Sequence, residues 1–232
     1  MIKIGDVKIA DIGFYINLDR RTDRKEKLVA GLEEFNISGV ERYSARSDTS
    51  TPQLNLINTT FEIYQKFLES DAESLLILED DCLFLPEIKE KPEEIFNKLY
   101  KLEWDLFWVG GVNRKPPLPF KNKFYRVSSP SYAQSYIIKR KMCEDVLTYF
   151  EKDWNNHNPD ELLCLFAYGY KMAKDPNSFG FYQSEQPLND FPTEYTALCY
   201  ETSLTTQYNS FSDLWGHETT LEDWIPMNHL QK

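Results

Sequence analysis

The run Leu75-Leu76-Ile77-Leu78 stops abruptly at Glu79-Asp80-Asp81, and apolar residues resume with Cys82, Leu83, Phe84 and Leu85. A short, β-prone apolar run reads as a strand buried in a sheet. Burial of both flanks forces the three carboxylates to the strand's end. Acids crowded there repel one another unless a cation sits among them, which points to a divalent metal; Mn²⁺ or Mg²⁺ suits carboxylate oxygen. By strand alternation Glu79 and Asp81 face one side and Asp80 the other, so the outer pair is the first choice for ligand contacts. A solvated turn after a buried strand would carry the same residues.

Two further runs have the same character, Gly13-Phe14-Tyr15-Ile16-Asn17-Leu18 and Asp105-Leu106-Phe107-Trp108-Val109-Gly110, with Gln134-Ser135-Tyr136-Ile137-Ile138 as a fourth candidate strand. Between them lie helical patterns. One runs from about Arg21 to Phe35, with Leu28, Leu32 and Phe35 on one face. A second covers Thr59 to Glu69, where Phe61, Tyr64 and Leu68 share a face and Glu62 and Lys66 form an exposed pair one turn apart. Two more are expected near Lys141 to Phe150 and Asp160 to Met172. Strands alternating with helices predict an α/β layered domain with a mostly parallel central sheet flanked by helices, in which ligands gather at the carboxyl ends of the strands. Lys115-Pro116-Pro117-Leu118-Pro119 and the stretch from Asp175 to Ser203 read as loops.

At 232 residues the chain suits one compact unit, residues 1–232, with a nucleotide-side half at 1–112 and an acceptor-side half at 113–232. A net charge of -11 argues against nucleic acid or an anionic membrane surface as the main partner. A lone nucleotide diphosphate is different, because one divalent cation bridges it to carboxylates. Four separated cysteines with no CxxC pair indicate neither a zinc site nor a disulfide framework. No apolar stretch reaches the roughly 18 residues that span a bilayer, and the start of the chain does not read as a signal peptide. The expected location is therefore a bacterial or viral-host cytoplasm, free or peripheral to a membrane. Oligomeric state is not legible.

The segment Tyr15-Ile16-Asn17-Leu18-Asp19-Arg20-Arg21-Thr22-Asp23-Arg24 joins a strand to a helix and carries three arginines within five positions. Arginine suits phosphate oxygens. The same residues would also make an ordinary helix start, capped by Asp19 or Thr22. With this segment the sequence has five ordered blocks: Tyr15 to Arg24, Arg42-Tyr43-Ser44-Ala45-Arg46, Leu76-Ile77-Leu78-Glu79-Asp80-Asp81, Ala133-Gln134-Ser135-Tyr136-Ile137-Ile138, and Thr206 to Asp213. In this order they resemble glycosyltransferase family 25, the lipooligosaccharide and collagen galactosyltransferase group. The resemblance implies a Rossmann-like fold of the GT-A kind, a UDP-sugar donor, Mn²⁺ dependence, a glycan acceptor and inversion at the anomeric carbon.

The expected donor contacts are Asn17, Ala45 and Arg46, from their strand-end positions, with Leu18, Arg20, Arg24, Glu79, Asp80, Gln134 and Gln207; core or loop roles would suit Gln134 and Gln207 equally. Asp81 and Glu79 are then the metal ligands, with His217 completing the shell. An inverting transfer needs a base for the acceptor hydroxyl. Asp160 in Asn158-Pro159-Asp160-Glu161 is the first candidate and Glu161 the second, although this string is also a good helix start. One departure stands out: where the family shows Gly-Cys followed by Ser-His at the start of the helix before the acidic strand, this chain has Asn58-Thr59-Thr60. A binding module without catalysis and a metal-dependent phosphotransferase or phosphatase are the rival readings; the latter lacks a GxxxxGK[ST] loop.

Overall fold

The computed structural model describes residues 1–49, 51–113, 117–127, 130–152, 162–163, 166–167, 195–208, 210–212 and 217–219. The chain opens with β1 (Ile2–Ile4), β2 (Val7–Ala10) and β3 (Ile12–Asn17), then α1 (Thr22–Glu34). β4 (Ile37–Ser38) and β5 (Glu41–Ser44) lead into α2 (Pro52–Leu68) and β6 (Ser74–Glu79). After the acids come β7 (Cys82–Phe84), α3 (Pro86–Glu90), α4 (Pro92–Leu99) and β8 (Leu106–Asn113). β9 (Leu118–Lys121), β10 (Phe124–Arg126), β11 (Pro130–Lys139) and α5 (Arg140–Lys152) follow. The described chain ends with β12 (Ala197–Tyr200), β13 (Thr205–Gln207), β14 (Ser210–Ser212) and β15 (His217–Thr219).

One eight-stranded sheet, in the order β5-β3-β6-β11-β8-β12-β10-β9, organises these elements. β3 runs parallel to β5 and β6, and β12 parallel to β8; β11 is antiparallel to both its neighbours, as β10 is to both of its own. All strands of the sheet except β10 and β11 therefore point one way, and the expected α/β fold with a mostly parallel central sheet is present. Strands from both sides of residue 112 share this sheet, since β11 and β12 flank β8.

Continuous apolar runs make sense here because the sheet is covered on both faces. Phe14, Ile16, Leu75, Ile77, Leu106, Trp108, Tyr136 and Ile138 pack with α2 and α5 in one core. Tyr15, Leu76, Leu78, Phe107, Val109 and Ile137 pack with α1, α3, α4 and the small antiparallel sheet β2-β1-β4 in the other. Alternate side chains of each strand thus enter opposite layers. Among the described residues no helix is long and apolar enough to cross a membrane.

Several expectations are corrected. The second helix begins at Pro52, not Thr59, because proline's fixed φ suits a first helical turn and Asn55 and Ile57 continue the buried face. Thr59 and Thr60 therefore lie inside α2, their hydroxyls donating to the carbonyls of Asn55 and Leu56. Glu62 does not face Lys66: it accepts from Arg46 and Tyr43, while Lys66 lies 5.0 Å above the Phe14 ring. Leu118 and Pro119, read as loop, begin β9, where an edge strand tolerates proline. Residues 197–200, also read as loop, form the fully buried β12. Of the expected helix from Asp160 to Met172, only 162–163 and 166–167 lie within the described residues.

β8 approaches the start of β13 so closely that a Cβ at Gly110 would collide with the hydroxyl and the backbone carbonyl of Thr205. Backbone cannot swing aside as a side-chain tip does. Gly110→Ala is therefore expected to lower stability by about 1–3 kcal/mol, seen as a lower urea midpoint. An unchanged midpoint would contradict this packing.

Candidate functional site

Because β3, β5 and β6 are parallel, their carboxyl ends share one edge of the sheet, the edge where α/β proteins place ligands. Asn17 ends β3, Ala45 and Arg46 follow β5, and Glu79-Asp80-Asp81 ends β6. β11 brings Ser135 to the same edge, opposite Leu78 and Gly110, with buried Gln134 beside it. β13 pairs with β7 and adds Gln207, so the expected blocks converge from positions far apart in the chain.

Within this edge the acids do not alternate. β6 ends at Glu79, and Asp80 and Asp81 form a turn before β7. The turn abolishes strand periodicity, so Asp80 and Asp81 converge instead of facing opposite sides. Between them sits Arg24, from the first turn of α1. Its Nη1 donates to Asp80 Oδ1 at 2.7 Å and to Asp81 Oδ2 at 3.3 Å. The three side chains are 8%, 11% and 15% exposed, so this is a nearly dry ion cluster. Burial opposes the Arg24 charge, but Asp81 and Asp80 outweigh it and raise its pKa.

The remaining oxygens have protein donors too. Asn17 Nδ2 donates to Asp80 Oδ2 at 2.8 Å and to the Arg21 carbonyl at 3.0 Å. Gln207 Nε2 donates to Asp81 Oδ1 at 3.2 Å. Tyr208 closes the turn from the same side: its N–H donates to the Asp81 carbonyl at 3.2 Å and its hydroxyl to the Asp80 carbonyl at 3.3 Å. Lys27 lies 3.3 Å above its ring. Burial pushes the Asp81 carboxyl up to about 6, although Arg24 pulls it down; the charge of Asp80 adds to the rise.

The other expected contacts divide. Ala45 N–H donates to the Asn17 carbonyl at 3.0 Å, tying β5 to β3. The Arg46 side chain turns to Glu62, at 2.9 Å, and to Asp48, while its backbone N–H donates to Thr59 Oγ1. The carbonyl of Leu18 accepts from Arg21 N–H, and Arg20 is exposed. Arg21 pairs with Asp23 at 2.8 Å, and neither Asp19 nor Thr22 caps α1, whose N-cap is Arg21 without a side-chain cap bond. His217 lies on β15, described by backbone alone, and Asp160 and Glu161 lie outside the described residues. The sequence reading missed Arg42, Asp19 and Tyr208 as parts of the network, since only the fold brings them to Asn17 and the acid turn.

A Mg²⁺-type site needs one or two carboxylates, with substrate phosphate and water completing the shell. The acid turn fits that donor chemistry. Among the described residues no group of three or more His, Cys, Asp or Glu side chains comes together for a metal on its own.

Fold and site together define an α/β protein in which the carboxyl-end edge of the sheet carries an acidic turn and an arginine-bearing helix start. No family model matches the chain. It is similar to procollagen galactosyltransferase 1 of Danio rerio, 22% identical over 256 residues that cover 91% of this chain and 40% of that protein. Procollagen galactosyltransferase 2 of Homo sapiens is 21% identical over 251 residues, 91% of this chain and 39% of that protein. The chain thus spans about 40% of the length of these relatives. Among solved structures, a glycosyltransferase involved in the glycosylation of the major capsid of PBCV-1 is 15% identical with a TM-score of 0.44, over 68% of this chain and 74% of that one.

Removing the guanidinium would leave two buried carboxylates facing each other. Arg24→Met is expected to cost about 3–5 kcal/mol of unfolding free energy; a loss below about 1 kcal/mol would show the cluster to be solvated. The sign for Asp81 is set by its native value of about 6 against an ordinary 3.8. Between these the native state binds more protons than the unfolded state, so this carboxyl's contribution to stability falls as pH rises. In metal-free buffer, urea unfolding should show Asp81→Asn gaining stability relative to the parent between pH 4 and pH 7. A difference independent of pH would contradict the assignment.

Proposed function

We propose that the chain is a glycosyltransferase that moves a hexose, galactose-like, from a UDP-sugar to a hydroxyl of a glycan acceptor. The observation that carries this reading is the paired Asp80 and Asp81 turn at the carboxyl end of β6, held against Asn17 at the end of β3 and Arg24 in the first turn of α1. Sequence similarity to galactosyltransferases over 91% of the chain supports the same class. In this reading the donor diphosphate lies along the strand ends, with the uridine side towards Ala45 and Arg46 and the sugar towards Gln134.

Glu79 and Asp81, with His217, would hold Mn²⁺ or Mg²⁺. When bound, such a cation neutralises charge that develops on the departing diphosphate. The chain's own residues do the rest. Arg24 and Asn17 lock Asp80, and Gln207 orients Asp81, so the carboxylates are arranged before the donor arrives; such preorganisation lowers a barrier without reorganisation during reaction. Removal of the acceptor proton falls to Asp160, with Glu161 as the second candidate, and backside attack on the anomeric carbon would invert it.

The test pairs binding with turnover. UDP with Mn²⁺ should raise the melting temperature, since a ligand that binds only the native state stabilises it. UDP-galactose with Mn²⁺ should release UDP. Asp81→Ala is expected to abolish the shift and to lower turnover by about 10²-fold or more. An Asp81→Ala chain with an undiminished shift would refute the metal assignment, whereas binding without turnover in the parent chain would point to a non-catalytic nucleotide-sugar module.

A further inference from the structure

We propose that Arg42 is a positioning residue of this donor site, acting on Asp80 through the side-chain amide of Asn17; the proposal rests on the donor-site reading above. Arg42 lies on β5, in register with Tyr15 of β3. Its Nε donates to Asn17 Oδ1 at 3.0 Å, and its Nη2 donates to the Asn17 carbonyl at 3.2 Å and to Asp19 Oδ1 at 2.5 Å. Ser44 Oγ donates to the same Asp19 oxygen at 2.8 Å, which braces the guanidinium from its exposed side.

The chemistry leaves Asn17 one orientation. A guanidinium only donates and a carboxylate only accepts, so the amide oxygen must face Arg42 and the amide nitrogen must face Asp80. A flipped amide would set N–H against N–H and oxygen against carboxylate at a residue that is 1% exposed. With both amide hydrogens engaged, by Asp80 Oδ2 and the Arg21 carbonyl, Asn17 is saturated as a side-chain donor. The Arg42 fork therefore selects the amide orientation that holds Asp80. Asp80 in turn holds Arg24, which reaches Asp81. The hydrogen bonds of Arg42 among the described residues go to Asn17 and Asp19, so its influence on the acid turn runs through Asn17. This also couples the two sides of the site, because Ala45 hydrogen-bonds to the same Asn17 carbonyl that Arg42 engages.

A double-mutant cycle on the full chain tests this, with initial rates of UDP release from UDP-galactose plus Mn²⁺ and the melting shift with UDP plus Mn²⁺ as readouts. Arg42→Met is expected to lower kcat about 10- to 100-fold, as misplacement of a catalytic constellation does, with donor KM changed by less than about twofold. In an Asn17→Ala background the same substitution should change kcat by less than about twofold, because the route is already cut. Arg42→Lys should be as impaired as Arg42→Met, since lysine keeps the charge but not the planar fork; it also serves as the test should Arg42→Met not fold. Effects that multiply across the two backgrounds, a loss carried by donor KM, or rescue by lysine would each overturn the proposal. If the parent chain gives neither turnover nor shift, the donor-site reading itself fails and takes the relay with it; with the parent active, a multiplicative cycle sinks the relay alone.

Discussion

One guanidinium between two carboxylates governs the architecture of the site. Arg24 joins the first turn of α1 to the turn after β6, and each partner is nearly dry. A buried pair of acids without it would repel and draw in water or protons; with it, the cluster keeps a single net negative charge. That residual charge sits at the edge where parallel strands end and where Asn17, Gln207 and Tyr208 hold the acids still. Arg24 therefore serves the acid turn before it serves any phosphate, and the cation that the sequence demands among its acids is in part supplied by the chain itself.

How much of this is legible in the sequence depends on the kind of signal. Apolar runs at Phe14, Leu75 and Leu106 mark strands because both faces of the sheet are covered, so periodicity is unnecessary and composition suffices. Helix faces such as Leu28 and Leu32 are equally plain. What stays hidden is set by pairing partners. Nothing in Gln134 to Ile138 says that β11 enters between β6 and β8 in the opposite direction, and nothing in Ala197 to Tyr200 says that four residues amid polar neighbours will sit beside β8. Strand preference is largely a matter of such surroundings.

The acid turn shows the same limit at the level of single residues. Alternation assigns Asp80 and Asp81 to opposite sides only while the chain stays extended, and a two-residue turn is enough to bring them together. Arg46 likewise carries the phosphate-binding side-chain chemistry but lies one turn of geometry away from using it, drawn instead to Glu62 on α2. Residue types mark acids and arginines near this edge; their mutual orientation comes from backbone geometry.

The latch of β13 over the acid turn has a consequence for biosynthesis. Gln207 lies 126 positions after Asp81, the carboxylate that it orients. At a translation rate of about 5–20 residues per second, it is polymerised roughly 6–25 s later. A nascent chain thus carries Arg24, Asn17 and both acids through that interval with one wall of their enclosure missing, and the acid turn is enclosed only when β13 pairs with β7.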